Sequence, residues 1–257
     1  MVDERVSRLE EVTDSDARLT AEKNAKLEVY TEICQQHMPS NILTKYMMQI
    51  LPSTESLCQF RKEFASHLAA NSVLQYALAA VERTPTRFVL CNKTGQVLAH
   101  DLRSSYNHGL LENQVLPFRL TRNITEFIGP FLLDGVFVPS FVSICGAMSL
   151  RRNILEPMLH LLLRDDVISW YTSKTSAAND KKIQDIELQL SDRVWKNVRF
   201  VQQRLDSCAP ERVENVAEAI KGNVDVAPID MKVRTLVDAA CCVDRLSSMS
   251  ASYQAWL

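Results

Sequence analysis

Glycine is scarce in this chain, six among 257 residues. Neither GxGxxG nor GxxxxGK followed by Ser or Thr occurs, so a nucleotide site built on a glycine-rich phosphate loop has no candidate here. None of the seven cysteines (Cys34, Cys58, Cys91, Cys145, Cys208, Cys241, Cys242) forms CxxC, and no histidine stands at metal-ligand spacing from them. Neither a metal nor a cofactor is therefore expected. Their odd number and irregular spacing fit reduced thiols in an intracellular compartment. The longest apolar run, around PMLHLLL, is too short to span a bilayer. MVDERVSRLEEV has no apolar core, so it does not read as a signal peptide. Charge of one sign is also lacking: 29 basic against 31 acidic residues leave a net −2. That gives no footprint for direct nucleic-acid or anionic-membrane binding.

What is present is an ordinary globular composition, 46% hydrophobic and 23% charged. The length allows one large domain or two small ones, with a sizeable core. Residues 1–16 are polar and charged. From there apolar residues recur mostly at helical spacing. Leu19, Leu27, Tyr30, Ile33 and Cys34 mark 17–37, which Pro39 ends. SNILTKYMMQIL forms a shorter helix before Pro52. Leu57, Phe60, Phe64, Leu68, Val73, Tyr76 and Leu78 mark 55–82, which Pro85 ends. Two β-type runs follow, RFVLC (87–91) and QVLAH (96–100), joined by NKTG, where Gly95 is able to take positive φ. The stretch 103–116, centred on SSYNHG, reads as a loop. LPFRLTRN is extended around Pro117. NITE has capping-box form, with Asn123 as N-cap and Glu126 at N3.

Further helices are predicted over 136–149 and over 152–172, the latter with Leu155, Met158, Leu159, Leu162 and Ile168 on its buried side. Others follow over 183–206, with Ile186, Leu190, Val194 and Val198, and over 211–221. A last helix leads into an aromatic end. SKTSAANDKK and GNVDVAPID read as polar linkers. The pattern is that of a mainly α fold with a small β-hairpin, and it lacks the alternating strands a parallel sheet needs.

Four stretches point to one family. LPFRLTRNITEFIGPFLLDGVF (116–137) resembles the segment after the activation loop of phosphatidylinositol-3-kinase-related kinases. LHLLLRDDVISWYTSK resembles the lobe helix beyond it, in the form typical of the TRRAP branch. FRKEFASHLAANSVLQYALAAV is similar to another TRRAP helix. LVDAACCVDRLSSMSASYQAWL, with its terminal Trp-Leu, resembles the FATC segment. By the order and spacing of these motifs the chain is identified as a TRRAP-type pseudokinase of that family. The resemblance implies a protein/lipid-kinase-like C-lobe followed by a helical FATC segment. The divisions are a polar segment at 1–16, the lobe at 17–175, a helical connecting region at 176–228 and FATC at 229–257. It also implies a nuclear, non-catalytic scaffold of a histone acetyltransferase coactivator complex of the SAGA type. Partners would be subunits of that complex, transcription activators and the upstream FAT and helical-repeat region, without direct nucleic acid or membrane. The alternative within the same family is an active or weakly active PI3/PI4-kinase-related protein kinase whose N-lobe lies outside the chain.

Active relatives carry G-D-R-H-x-x-N before the first hairpin strand and D-F-G after the second. Anchored on FVL (88–90), that loop falls on VERTPTR (81–87). Glu82 then stands at the Asp, Arg83 keeps the Arg, Thr84 replaces the His and Arg87 replaces the metal-binding Asn. In AHDLR (99–103), Asp101 keeps the carboxylate, while Leu102 and Arg103 replace Phe and Gly. The Asn of active kinases gives Mg²⁺ an oxygen ligand, whereas a guanidinium is cationic and only donates. The resemblance thus implies a degenerate loop with no catalytic, cofactor or metal residues. It assigns structural roles to Pro117, Phe118, Arg119, Tyr253, Trp256 and Leu257.

Without the family, Asp101 reads as a solvated or Arg-paired carboxylate at a strand end, and its neighbour His100 points to the opposite face. Ser104, Ser105 and His108 lack a GxSxG elbow. Cys241 and Cys242 read as small buried residues on a helix, and the charged face of 181–206 as solvated. Tyr253 and Trp256 lie where free ends fray, and they read as packed against the lobe.

Overall fold

The computed structural model describes residues 15–107, 116–175, 183–209 and 230–257. The expected helix over 211–221, His108 and most of both linkers lie outside them. Helix α1 (Ser15–Glu32) runs into a π-type turn, Ile33–His37, and α2 (Ile42–Ile50) follows. The long helix α3 (Thr54–Ala77) starts at Ser53, whose Oγ accepts from Ser56 N at 3.1 Å. It buries Leu57, Phe60, Phe64, Leu68 and Val73. Periodicity carries this helix to 82, but it stops at Ala77. Ala79 takes φ 50°, and Ala80–Val81 become strand β1. The reason is that Leu78, Ala79 and Ala80 are all buried, and a continuous apolar run has no period to tell helix from strand.

After a 3₁₀ turn at Pro85–Arg87 come β2 (Phe88–Leu90), β3 (Val97–Ala99) and β4 (Arg103–Ser104). β2 and β3 form the expected antiparallel hairpin, pairing Phe88 with Ala99, Val89 with Leu98 and Leu90 with Val97. A second ribbon pairs β1 with β4, Ala80 opposite Ser104 and Val81 opposite Arg103. The apolar spacing instead predicts a helix end at 80–81 and a loop at 103–104. The hairpin is fixed to α3 at two points. Buried Asn71 donates to Val97 O at 2.7 Å and accepts from Ala99 N at 2.9 Å. At the turn, Gly95 has φ 79°, and a Cβ there would lie 2.6 Å from Phe60 O.

The chain then threads the interior as an extended segment, 116–121, before α4 (Arg122–Leu132), a π-type turn at Leu133–Phe137 and α5 (Val138–Leu150). Asn123 is not the N-cap of α4; Thr121 holds that place. Asn123 Oδ1 instead accepts from Ile42 N at 3.1 Å and so caps α2. The helical stretch Arg122–Leu150 is long and apolar enough, by length and composition, to cross a membrane, which the PMLHLLL run is not. In this fold it kinks at Gly129 (φ 73°), and Phe127, Ile128, Phe137, Val138, Phe141 and Cys145 enter the core.

Helices α6 (Arg152–Thr175) and α7 (Ile183–Cys208) pack side by side. α6 buries Leu159, Leu163 and Val167. Met158, Leu162 and Ile168, expected inside, are exposed at 65%, 51% and 38%. Three consecutive leucines, Leu161–Leu163, leave the apolar stripe without a unique phase. α7 buries Val194 and Val198 as its spacing predicts, and continues with Val201, Leu205 and Cys208. The last segment forms α8 (Met231–Cys241), α9 (Val243–Ser247) and a 3₁₀ turn at Ala251–Tyr253. Cys242 is extended between the two helices, so Cys241 and Cys242 do not share one. Both are half-buried. Val233, Val237 and Ala240 of α8 join the main core, while Tyr30, Leu116, Leu246, Tyr253 and Ala255 make a smaller one.

Replacing Gly95 by Ala is expected to cost about 1–3 kcal/mol, from left-handed strain plus the clash with Phe60 O. Urea denaturation read by circular dichroism checks this, with a lower midpoint and an unchanged slope.

Candidate functional site

The loop between β1 and β2 and the turn after β3 bring a charged cluster together. Glu82 and Asp101 both hold positive φ, 55° and 54°, a conformation that costs non-glycine residues about 1–3 kcal/mol each. Arg87 stands between them. Its Nη2 donates to the Glu82 carboxylate and lies 3.1 Å from Asp101 Oδ2; its Nη1 donates to Asp101 O at 2.7 Å. Arg103 Nε lies 3.5 Å from Asp101 Oδ1. His100 N donates to Arg87 O at 3.0 Å, tying the 3₁₀ turn to the end of β3. Each exposed pair alone is worth about 0–1 kcal/mol, but together they hold one guanidinium on both carboxylates. The Thr84 hydroxyl is hydrogen-bonded to Thr86 Oγ1 at 2.8 Å, while its backbone N donates to Glu82 O at 2.8 Å and its O accepts from Arg87 N at 3.1 Å. Arg83 turns inward, 2% exposed, and donates to Leu116 O at 3.0 Å. Among the described residues no three His, Cys, Asp or Glu are grouped as a metal site would need.

The serines nearby are tied to the scaffold. Ser104 N donates to Asp166 Oδ2 at 3.0 Å, and Ser105 Oγ donates to Ala79 O at 2.8 Å. Burial pushes the Cys241 thiol up to about 11, away from thiolate chemistry.

Behind the cluster, the extended segment grips the C-terminal residues. Pro117 and Phe118 are buried, with Phe118 packed against Phe137 and Phe141 at ring-centroid distances of 6.0 and 5.6 Å. Arg119 is 3% exposed. Its Nη1 donates to Arg83 O and Tyr253 O, its Nη2 to Gln254 O, and its guanidinium lies 4.7 Å from the Tyr253 ring centroid. Burial lowers its pKa from the ordinary arginine value; the Tyr253 phenol opposes that shift and the Arg83 charge adds to it. Thr121 Oγ1 donates to Leu257 O, and Asn123 Nδ2 to Trp256 O at 3.3 Å. Arg122 Nη1 donates to Cys34 O and Met38 O at 2.8 and 3.0 Å, closing the end of the π-type turn. Tyr253 is buried, as expected. Trp256 and Leu257 are only half-buried, and the small Ala255 before them is the buried residue, in the smaller core with Tyr253. Sequence reasoning found Arg119 but missed Thr121 and Asn123. The signal for Thr121 was there: polar residues at 119 and 121, alternate positions of a buried extended run; Asn123 already lies in the first turn of α4.

A long helix carrying a hairpin, a charged loop beside it and a C-terminal tail clamped behind it define a kinase-type C-lobe with a docked tail. The family described as phosphatidylinositol 3- and 4-kinase matches residues 4–172, and the chain belongs to it. It is 29% identical over 168 residues to the "SAGA complex/NuA4 acetyltransferase complex subunit TRA1" of Saccharomyces cerevisiae, covering 58% of this chain and 4% of that protein. It is 26% identical over 240 residues to the human "Transformation/transcription domain-associated protein", covering 90% of this chain and 6% of that one. The TRRAP/Tra1 likeness therefore runs over most of the chain, as the sequence resemblance implied. The chain spans only a small fraction of these relatives. Among solved structures, the "FAT and kinase domain of CtTel1" superposes with a TM-score of 0.60 over 100% of this chain and 16% of that one, at 17% identity, which bears on fold alone.

Deleting residues 253–257 removes three carbonyl acceptors and a ring from the Arg119 and Thr121 donors. A hydrogen bond to a charged group is worth about 1.5–3 kcal/mol, so a loss of several kcal/mol is expected. Hydrogen exchange of the whole chain should show faster exchange across 116–150. Unchanged protection there would mean that the clamp contributes nothing to the lobe.

Proposed function

We propose that this chain is the pseudokinase lobe and C-terminal tail of a non-catalytic scaffold in a nuclear coactivator assembly. One observation carries the reading: Arg87 lies between Glu82 and Asp101. By the motif resemblance anchored on the hairpin, Glu82 stands at the catalytic Asp, Arg87 at the metal-binding Asn and Asp101 at the metal-binding Asp of active kinases. A guanidinium there supplies the positive charge that Mg²⁺ would bring, and offers no oxygen. Two unit charges about 4 Å apart at an effective dielectric of about 20 repel by roughly 4 kcal/mol, and a dication by about twice that. Phosphoryl transfer rests on metal and positioned phosphates, so this loop keeps the shape of a kinase loop without its chemistry.

The divisions that accompany this reading are the lobe at 17–175, a connecting region at 176–228 and an FATC segment from 229. The clamp from Arg119 to the tail supports treating lobe and tail as one rigid head. Relatives named as SAGA and NuA4 subunits support a nuclear place among acetyltransferase subunits and activators. The kinase alternative draws on the fold likeness to a kinase domain, and the same assay separates the two.

Calorimetric titration of the full-length head with Mg·ATP is expected to give no metal-dependent binding, and Arg87→Asn alone to restore none, because Thr84 and Arg103 also depart from the kinase pattern. A micromolar Kd that vanishes with chelator would overturn the pseudokinase reading. Affinity purification of the tagged full-length protein from nuclear extract is expected to recover acetyltransferase subunits. Recovery of cytoplasmic signalling proteins alone would refute the scaffold assignment.

A further inference from the structure

We infer that a cleft between α2, the β2–β3 hairpin and the C-terminal tail is a binding site for a small uncharged aromatic molecule. The cleft has a volume of about 320 Å³, inside the range of about 300–1,000 Å³ in which small-molecule pockets fall. Tyr46 of α2, Leu68 of α3, Phe88 and Val97 of the hairpin, Ile124 of α4 and Leu257 of the tail line it. Glu82, Arg87 and Asp101 do not, so it is separate from the charged cluster. Leu68 and Val97 belong to the main core and form its floor, while Tyr46, 47% exposed, stands at the rim.

Protein interiors hold few voids larger than a water molecule, and here each wall has its own polar anchor. Ile42 N donates to Asn123 Oδ1 at 3.1 Å, which sets the start of α2. Asn92 Nδ2 donates to Tyr46 Oη at 3.5 Å, which ties the later turn of α2 to the hairpin. Asn71 seats the hairpin on α3, and Thr121 holds Leu257 O. With these bonds made, α2 and the tail do not slide inward to fill the space, and the cleft is preformed.

The walls decide the chemistry of the occupant. Apart from Tyr46, the polar side chains on them are Arg119 and Asn123. Arg119 already donates to three carbonyls, and Asn123 uses both ends of its amide. A charged ligand would leave water and find no matching partner, which is costly. An uncharged one exchanges water for carbon walls, which is favourable. Tyr46, Phe64 and Phe88 bring rings from three elements, and ring faces and edges favour a further ring. Because α2, the hairpin and Leu257 share the site, an occupant bridges them and stabilises the docked tail.

The test is titration of the native full chain with acetophenone, read by saturation-transfer NMR, against benzoate, which has nearly the same shape and carries a charge. Acetophenone is expected to bind saturably at one site, and benzoate at least about tenfold more weakly. Acetophenone should slow hydrogen exchange at 42–47, 88–97 and 253–257, and leave α6 and α7 unchanged. Leu43→Trp, which places a ring in the cleft from a half-buried position, should abolish the binding. Absence of saturable binding, the result a cleft closed by another protein segment would give, overturns the inference. So does equal binding of benzoate, or slowed exchange confined to other elements. The exchange map of the native chain decides this even where Leu43→Trp does not fold.

Discussion

One buried cation organises the lobe. Arg119 has left water almost completely, and removing a guanidinium from water costs several kcal/mol unless its donors are met. The donors are met by carbonyls from two remote places, Arg83 in the charged loop and Tyr253 with Gln254 in the tail. That requirement couples three parts of the chain: the loop, the extended segment and the C-terminal turn must be in place together. The Tyr253 ring adds a cation–π contact, worth more in a desolvated site than at a surface. The neighbours of Arg119 extend the coupling. Thr121 and Asn123 hold the last two carbonyls, while Arg122 and Asn123 reach back to the end of the π-type turn and the start of α2. The extended run and the first turn of α4 thus gather the N-terminal helices, the lobe and the tail.

The charged loop inherits its geometry from the same frame. The hairpin is seated on α3 by Asn71 and by the close approach of Gly95 to Phe60. Arg83 anchors the loop to Leu116 from inside. With both sides fixed, Glu82 and Asp101 are held in left-handed conformations, and Arg87 completes the arrangement. A loop built this way is rigid and already neutralised.

The sequence by itself determined the fold class, the hairpin with its Gly95 turn, the buried stripes of α3 and α7, and the family. The structural features follow from local rules, namely the period of apolar residues, the prolines between runs and the one glycine that a tight turn needs, while the family follows from the resemblance of whole motifs. It also fixed which residue types stand in the charged loop, and hence the absence of an oxygen ligand at position 87. Tertiary structure decided what local rules leave open. The end of α3 lay in a fully apolar run, where period carries no information, and pairing of β1 with β4 settled it. The three leucines of α6 allowed several faces, and packing against α7 chose Leu159, Leu163 and Val167. Asn123 had the form of a cap for its own helix and was taken by another. Arg87 met Glu82 and Asp101, and Arg119 met Tyr253, because those partners are distant in sequence and are brought together only when the whole lobe closes around the extended segment.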